Sequence, residues 1–486
     1  MKQSMMLMAD FYKISHRACY PEGTQVIYST WTPRTSRMPE VNSVVTFGQQ
    51  AFIKDYLIDM FNEQFFNRTK EDVVSEYVRI IKNTLGDPNP HTKHIEQLHD
   101  LGYLPLSIMS LPEGTVAPLK VPTMTIQNTD SDFFWLTNYI ETLASCELWQ
   151  PSTSATIAYE YRKLLDQAAM DTVGDTSFVQ FQGHDFSMRG LSSLRSATTS
   201  GLGHLLSFVG TDTIPAIQAA ERLYNANVEK ELVGTSVPAT EHSIQSSYED
   251  DMVYLNKIIT EVHPTGIVSV VSDGYDFWDV IGRVVPALKS KIMARDGKVV
   301  IRPDSGDPVK IICGDPDAKT ELERKGAVQA LWDIFGGTLS PKGYKLLDSH
   351  IGLIYGDAIT LQRAKEITSR LKESGFASVN VVFGIGSYSY QYNTRDTFGF
   401  ALKATHCMIN GREKFLFKNP KTDDGTKKSQ KGRVAVIREN GVLKVVDQLG
   451  LYDTVHNNEL REIFRNGCLL VDDSLGEIRA RLNGKV

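Results

Sequence analysis

After about residue 176 the chain repeats one short grammar. A β-branched or aromatic run ends in a polar, often glycine-containing loop, and helical periodicity follows. Residues 178–181 lead to Gly183-His184-Asp185-Phe186, and residues 205–209 to Gly210-Thr211-Asp212. Residues 267–271 lead to Ser272-Asp273, and residues 299–301 to Arg302-Pro303-Asp304-Ser305-Gly306. Residues 351–355 lead to Gly356-Asp357, and residues 379–383 to Gly384-Ile385-Gly386. Between the last two, Leu361, Ala364, Ile367 and Leu371 mark the apolar stripe of an amphipathic helix. Short apolar strands alternating with helices specify a parallel α/β unit. Such folds bind ligands where the strand C-termini release their loops. Nearly every such loop here opens with Asp, Arg, His or Gly. One alone could be a helix cap, and Asp357 suits that role. Six in succession, mixing acids and arginines, read as one converging site, and a barrel is preferred to an open sheet.

The flanks lack this grammar. Residues 25–31, 106–109 and 124–126 read as short strands, and a helix is expected from Asp130, with Leu136, Ile140 and Leu143 on one face. Residues 418–433 form a lysine-rich polar stretch, read as a solvated loop. Strands at 434–437 and 442–446 and a helix at 474–482 follow. The expected division is a barrel at 151–400, with 1–150 and 401–486 forming one discontinuous α+β companion domain. No fixed-period repeat interrupts this reading.

Composition narrows the function classes. A net charge of -6 argues against a general nucleic-acid binder, which would carry a basic surplus. It leaves room for an anionic substrate, since a phosphate site needs only a local basic cluster. The five cysteines are scattered and contain no C-x-x-C pair, which favours a reducing compartment over a disulfide framework. The opening ten residues are too short for a signal-peptide core, and no apolar run approaches the ~20 residues of a membrane helix. A cytoplasmic enzyme is expected.

Taken in order, the loops resemble those of the nicotinamide phosphoribosyltransferase family. The stretches that carry this are Asp10-Phe11-Tyr12-Lys13, Asn128-Thr129-Asp130, Phe134 to Asn138, His184-Asp185-Phe186 and Arg189-Gly190. They continue with Gly210-Thr211-Asp212-Thr213, Ser236 to Ser243, Ser269 to Asp273, Ile301 to Gly306 and Lys342 to Leu347. Gly356-Asp357, Thr394-Arg395-Asp396 and Lys431-Gly432-Arg433 complete the set. The resemblance spans the chain, although any one tripeptide alone would mean nothing. It implies an irregular parallel α/β barrel of the type II phosphoribosyltransferase kind, acting as a homodimer with active sites shared between subunits. The reaction implied is displacement of pyrophosphate from 5-phosphoribosyl-1-pyrophosphate by the ring nitrogen of nicotinamide. That nitrogen carries no proton, so neither a general base nor an enzyme nucleophile is required. Ring clamps, carboxylates and cations are what this chemistry needs.

By the resemblance, Phe186 forms one face of a clamp on the nicotinamide ring, and Tyr12 of the other subunit forms the opposite face. Ordinary core packing is the competing account of Phe186. Asp212 accepts a hydrogen bond from the carboxamide and repels the carboxylate of nicotinate, though an isolated Gly-Thr-Asp-Thr would favour a turn former. Arg302 reaches the amide carbonyl and the phosphoribosyl side, while Arg189 and Ser236 serve phosphate. Asp304 and Asp357 face the ribose hydroxyls, Gly356 belongs to the phosphoribosyl/pyrophosphate site, and Asp273 and Asp304 support Mg²⁺ through water. A structural ion pair is the alternative for any Arg–Asp couple. His242 corresponds to a histidine that ATP phosphorylates, against the usual reading of a lone histidine as structural. Arg34, Arg395 and Lys403 correspond to residues reaching a neighbour's pyrophosphate pocket, although surface charge is the default for each.

Two departures stand out. The turn after the last barrel strand, usually three glycines, reads Gly386-Ser387-Tyr388, which bears on the 5′-phosphate cradle. A serine expected six positions beyond Arg395 is Ala401. Gly384-Ile385-Gly386 also mimics half a dinucleotide fingerprint, but Ser389 replaces the third glycine. The rival enzyme, nicotinate phosphoribosyltransferase, should offer a cation where Asp212 stands. A non-catalytic nucleotide-binding relative should have lost His242 or the Arg302/Asp304 pair.

Overall fold

The computed structural model describes residues 4–418 and 428–484. The chain divides into two compact units, one of Met1–Thr156, Ala220–Ala226 and Asn393–Val486, the other of Ile157–Ala219 and Asn227–Tyr392. These bounds lie a few residues from 150 and 400. The excursion at Ala220–Ala226 leaves no mark in the sequence pattern. The boundary at Thr156 falls within the continuous helix Glu141–Thr172, so no linker composition announces it.

In the second unit six parallel strands lie in the order Gly210–Thr211, Gly183–Asp185, Val381–Ile385, Ile351–Tyr355, Val299–Arg302, Val268–Val271. Ile385 stands beside Asp185, Asp185 beside Thr211, Tyr355 beside Phe383 and Val271 beside Arg302, so all six end at one rim. Residues 235–240 close the ring between the two edge strands. Thr235 bridges Gly210 in parallel, and Ala239 bridges Ser269. Ser269 N–H donates to Pro238 O at 2.9 Å, and Thr240 N–H donates to Ser269 O at 3.1 Å. Pro238 has no N–H to give, which keeps this seventh stave from becoming a regular strand. The result is an irregular parallel α/β barrel.

The strands carry a buried apolar face, on which Val270, Ile301, Phe383 and Ile385 each contribute roughly 1.5–3 kcal/mol. The crossover helices begin at recognisable caps. Thr360 accepts from Arg363 N–H at 3.2 Å and opens Leu361–Glu373, whose Ala364, Ile367 and Leu371 are buried as the stripe predicts. Thr320 and Glu323 form a reciprocal capping box at the start of Glu321–Phe335.

The first unit holds a seven-stranded antiparallel sheet in which the two ends of the chain interleave. Thr24–Thr32 lies between Ala401–Ile409 and Met124–Asn128, and Leu106–Ser110 lies between Met124–Asn128 and Arg461–Arg465. Trp31 and Phe400 stack at 5.3 Å within its core.

Several expected elements shift. Residues 178–181 fall largely in the short helix Val179–Gln182, and the strand is Gly183–Asp185, because periodicity cannot separate a short buried helix from a strand. Residues 205–209 form turns after the helix Leu194–His204, with Phe208 N–H donating to His204 O, and only Gly210–Thr211 joins the sheet. Gly384 and Ile385 belong to the last strand and not to its loop. The helix expected from Asp130 arrives as Ser131–Phe133, Leu136–Tyr139 and Glu141–Thr172, with Asp130 accepting from Asp132 N–H. Residues 419–427 of the expected lysine-rich loop lie outside the described residues. No helix among the described residues is long and apolar enough to cross a membrane.

Candidate active site

Two polar groups stand at the rim where the barrel strands end. The first centres on Asp212, directly after Gly210–Thr211. Its Oδ1 accepts from His184 Nε2 at 2.8 Å and from Ser236 Oγ at 2.6 Å. Burial pushes the Asp212 carboxyl up. The hydrogen bonds from His184 and Ser236, with the charges of His184 and Arg302, outweigh that and hold it below the usual carboxylate range. Asp212 is thus an anion at neutral pH, able only to accept. Phe186 lies half-buried beside it, its ring 4.6 Å from that of His184. Gly384 makes room for that ring, since a Cβ there would stand 2.6 Å from the Phe186 Cδ2.

Asp185, one residue before Phe186, does a different task. It is fully buried, and its oxygens accept from Ser187 N–H, Ser187 Oγ and Thr213 Oγ1. Both oxygens are used, so Asp185 shapes the loop that presents Phe186.

The second group joins His242, Asp273, Arg302 and Asp304. Asp273 Oδ1 meets His242 Nε2 at 2.9 Å, and its Oδ2 accepts from the backbone N–H groups of Asp304 and Ser305 at 2.8 and 2.7 Å. Burial would raise this carboxyl, but those bonds prevail and lower it. Asp304 goes the other way. Burial raises it first, Asp273 adds to the rise, and Arg302 opposes. Arg302 Nη2 donates to the Thr240 carbonyl at 2.9 Å, which ties it to the closing stave.

Arg302 Nε and Asp304 Oδ1 are 3.6 Å apart, and both are buried without a hydrogen-bond partner. An unmade bond at a buried polar atom costs about 1–3 kcal/mol. Arg302 and Asp304 thus form an ion pair whose facing atoms make no hydrogen bond. Because the Arg302 charge is felt at both Asp212 and Asp304, the two groups form one electrostatic unit.

With this geometry in place, the relatives can be compared. The profile of the nicotinate phosphoribosyltransferase family matches residues 181–468, and that of the nicotinamide phosphoribosyltransferase N-terminal domain matches residues 4–108. A nicotinamide phosphoribosyltransferase of Acinetobacter baylyi is 51% identical over 97% of this chain and 96% of its own. The chain belongs to the nicotinamide phosphoribosyltransferase family. It is accordingly an enzyme of the pentosyltransferase class. A Xanthomonas campestris member is 32% identical over 98% of this chain and 97% of its own. Among solved structures, nicotinate-nucleotide pyrophosphorylase from Pyrococcus furiosus aligns with a TM-score of 0.58 at 17% identity, covering 99% of this chain and 95% of that one. Human nicotinic acid phosphoribosyltransferase gives 0.55 at 15%, covering 99% and 93%. At such identities the likeness speaks for the type II phosphoribosyltransferase fold alone.

The remaining expected residues of this family member fall in two places. Gly356, Asp357 and Gly386 lie on loops at the barrel rim, Arg189 in the single 3₁₀ turn Met188–Gly190, and Ser387 at the start of the short helix Ser387–Tyr390. Ser387 packs on Gly190, where a Cβ would stand 2.3 Å from its Oγ. Tyr388 stacks on Tyr392 at 5.4 Å, so the residues replacing the usual glycines are built into a small aromatic corner. Ser236, expected to serve phosphate, donates to Asp212 at 2.6 Å. Tyr12, Arg34, Arg395 and Lys403 belong to the other unit. There Tyr12 is exposed, Arg34 Nε donates to Gly399 O at 2.8 Å, Arg395 lies 3.7 Å from Asp396, and Lys403 pairs with Glu141 at 3.4 Å. Sequence reasoning gave no role to His184 or to the Thr240 carbonyl. His184 could have been flagged by its place one strand residue before Asp185. A backbone carbonyl leaves no sequence signal.

Proposed function

We propose that this enzyme joins nicotinamide to the ribosyl carbon of 5-phosphoribosyl-1-pyrophosphate, yielding nicotinamide mononucleotide and pyrophosphate in NAD salvage. The observation that carries the reading is Asp212, an anionic acceptor beside Phe186 and within the field of Arg302. A carboxamide can donate N–H to Asp212 and accept at its carbonyl from Arg302. A nicotinate carboxylate would meet like charge at Asp212.

The pyridine lone pair forms the new bond to C1 as the C1–O bond to pyrophosphate breaks, and pyrophosphate leaves with that electron pair. No proton moves. Phe186 holds the ring, with Tyr12 of the partner subunit as its opposite face in a homodimer that shares its sites. Asp304 and Asp357 face the ribose hydroxyls, while Arg189, Gly386 and Ser387 hold the 5′-phosphate. Arg34, Arg395 and Lys403 reach a neighbour's pyrophosphate. Preorganised charge of this kind stabilises the oxocarbenium-like centre and the departing anion.

Mg²⁺ would be held through Asp304, whose Oδ1 makes no hydrogen bond, more readily than through Asp273, whose two oxygens are engaged. Among the described residues no group of three His, Cys, Asp or Glu is placed to hold a metal ion. When bound, Mg²⁺ neutralises charge on the pyrophosphate.

ATP enters through His242. Asp273 can only accept, so Nε2 of a neutral His242 carries the hydrogen and Nδ1 keeps its lone pair. Nδ1 is therefore the atom to take the γ-phosphoryl group, with ADP leaving. Five free cysteines support a cytoplasmic setting. The direct test is incubation with nicotinamide, phosphoribosyl pyrophosphate and Mg²⁺, with and without ATP, against a parallel series with nicotinate. Mononucleotide from nicotinamide is expected. Product from nicotinate alone would overturn the reading.

A further inference from the structure

We propose that His184 is the positioning residue that sets preference for amide over acid, by filling Oδ1 of Asp212 and leaving Oδ2 to the ring substituent. This rests on the reading of Asp212 as the amide acceptor.

A carboxylate oxygen offers two lone pairs. Oδ1 of Asp212 receives two donors, His184 Nε2 at 2.8 Å and Ser236 Oγ at 2.6 Å. The accepting capacity that remains lies on Oδ2. His184 can hold this arrangement because its imidazole has little freedom. In the sheet it stands opposite Gly210, where a Cβ would lie 2.9 Å from Nδ1. Phe186 packs on the ring at 4.6 Å, and the side chain is only 12% exposed. The residue that orients the acceptor therefore also touches the clamp ring, so amide recognition and ring stacking share one support.

A specific consequence follows for an asparagine at position 212. With His184 Nε2 kept as the donor, the amide turns its carbonyl oxygen to that nitrogen and its NH₂ toward the ligand. The site then presents a donor where it presented an acceptor. Asp212→Asn should thus move preference toward nicotinate, whose carboxylate accepts, beyond merely weakening nicotinamide. Without His184 the asparagine loses its fixed orientation, because the Ser236 hydroxyl can accept as well as donate. The shift should then shrink.

The experiment measures kcat and KM for nicotinamide, nicotinate and phosphoribosyl pyrophosphate in the full-length enzyme. The variants are His184→Ala, His184→Gln, Asp212→Asn and the double variant His184→Ala/Asp212→Asn. His184→Ala should raise the nicotinamide KM about tenfold, the scale of one charge-assisted hydrogen bond, with the phosphoribosyl pyrophosphate KM within about twofold of the parent. His184→Gln, which keeps an N–H donor, should recover most of the loss and serves where the alanine variant folds poorly. Asp212→Asn should lower the nicotinamide-to-nicotinate ratio of kcat/KM at least about tenfold, and in the His184→Ala background it should change that ratio by less than about threefold. An Asp212→Asn enzyme with unchanged discrimination would overturn the reading of Asp212 itself. A full shift that persists without His184 would overturn the positioning role alone, as would equal loss of affinity for both co-substrates in His184→Ala.

Discussion

Oδ1 of Asp304 occupies the space a side chain on Gly356 would need: a Cβ there would stand only 1.9 Å away. Gly356 lies at the end of Ile351–Tyr355, and its N–H donates to Pro303 O at 3.2 Å, which draws the two rim loops together. Its φ is outside the left-handed region, so the glycine is required by this close approach and not by backbone strain. Gly356→Ala should push the Asp304 carboxylate off its position. A displacement near 1 Å at a reacting centre costs about 10²-fold. The expected result is a loss of that order in kcat/KM for phosphoribosyl pyrophosphate, with the thermal midpoint nearly unchanged. Kinetics equal to the parent would show that the position of Asp304 is immaterial.

Arg302 ties the two halves of the site together, and its two properties can be separated. The guanidinium uses Nη2 on the Thr240 carbonyl and turns Nε toward Asp304, a fork that an ammonium cannot reproduce. Arg302→Lys keeps the charge and loses the fork, so turnover should fall by about 10²-fold while the acid limb of the pH profile stays in place. Arg302→Gln also removes the charge. The Asp212 carboxyl, held low partly by Arg302, then rises. On the proposed role of ionised Asp212 as the amide acceptor, the acid limb of kcat/KM for nicotinamide should move to higher pH in Arg302→Gln alone. Profiles of the two variants, measured side by side, decide this.

His242 is nearly half exposed, whereas its partner Asp273 is almost wholly buried. That asymmetry suits a group that meets ATP from solvent and is backed by a fixed acceptor. His242→Ala should abolish ATP stimulation and acid-labile labelling from γ-labelled ATP, while ATP-independent transfer survives. Asp273→Asn should weaken the labelling and also disturb the Asp304 loop, because its Oδ2 holds the N–H groups of both Asp304 and Ser305. An unaltered ATP response in His242→Ala would exclude the phosphohistidine.

What could be read beforehand follows the strength of local signals. The strands Val268–Val271, Val299–Arg302 and Ile351–Tyr355 are β-branched or aliphatic runs bounded by polar loops, and each lies where the pattern puts it. Gly183–Asp185 and Gly210–Thr211 are two or three residues long and held by their neighbours in the barrel, so the apolar runs just before them attract the strand assignment instead. The stave at 235–240 was invisible because Pro238 interrupts it and its pairing comes from both sides. Asp212, Phe186, Arg302 and Asp304 gather at the rim because loops at strand ends converge in this fold. The partner of Ser236 could not be read beforehand, since a hydroxyl on the irregular neighbouring stave carries no spacing to read.

The last prediction concerns stability in the antiparallel unit. Glu113 is buried there with Oε1 accepting from Gln50 N–H at 2.7 Å, and Oε2 has no hydrogen-bond partner. Burial pushes its carboxyl up from 4.5 to about 7, against the Gln50 N–H bond and with a further push from Asp473. Tyr224 also faces it, and Asp473 is itself neutralised by Arg461 and Arg481. Because the folded value lies above the unfolded one, the folded chain holds a proton that the unfolded chain has already released between these two values. Stability is therefore fully present below the unfolded value and declines as pH rises through about 7, by roughly 3 kcal/mol in all. Glu113→Gln mimics the protonated acid, keeps an acceptor for Gln50 and cannot ionise. Urea unfolding at pH 5 and pH 8 should show the parent losing more stability than the variant across that window, with the variant the more stable at pH 8. A parent and variant that fall in parallel would mean that Glu113 titrates normally in the folded chain.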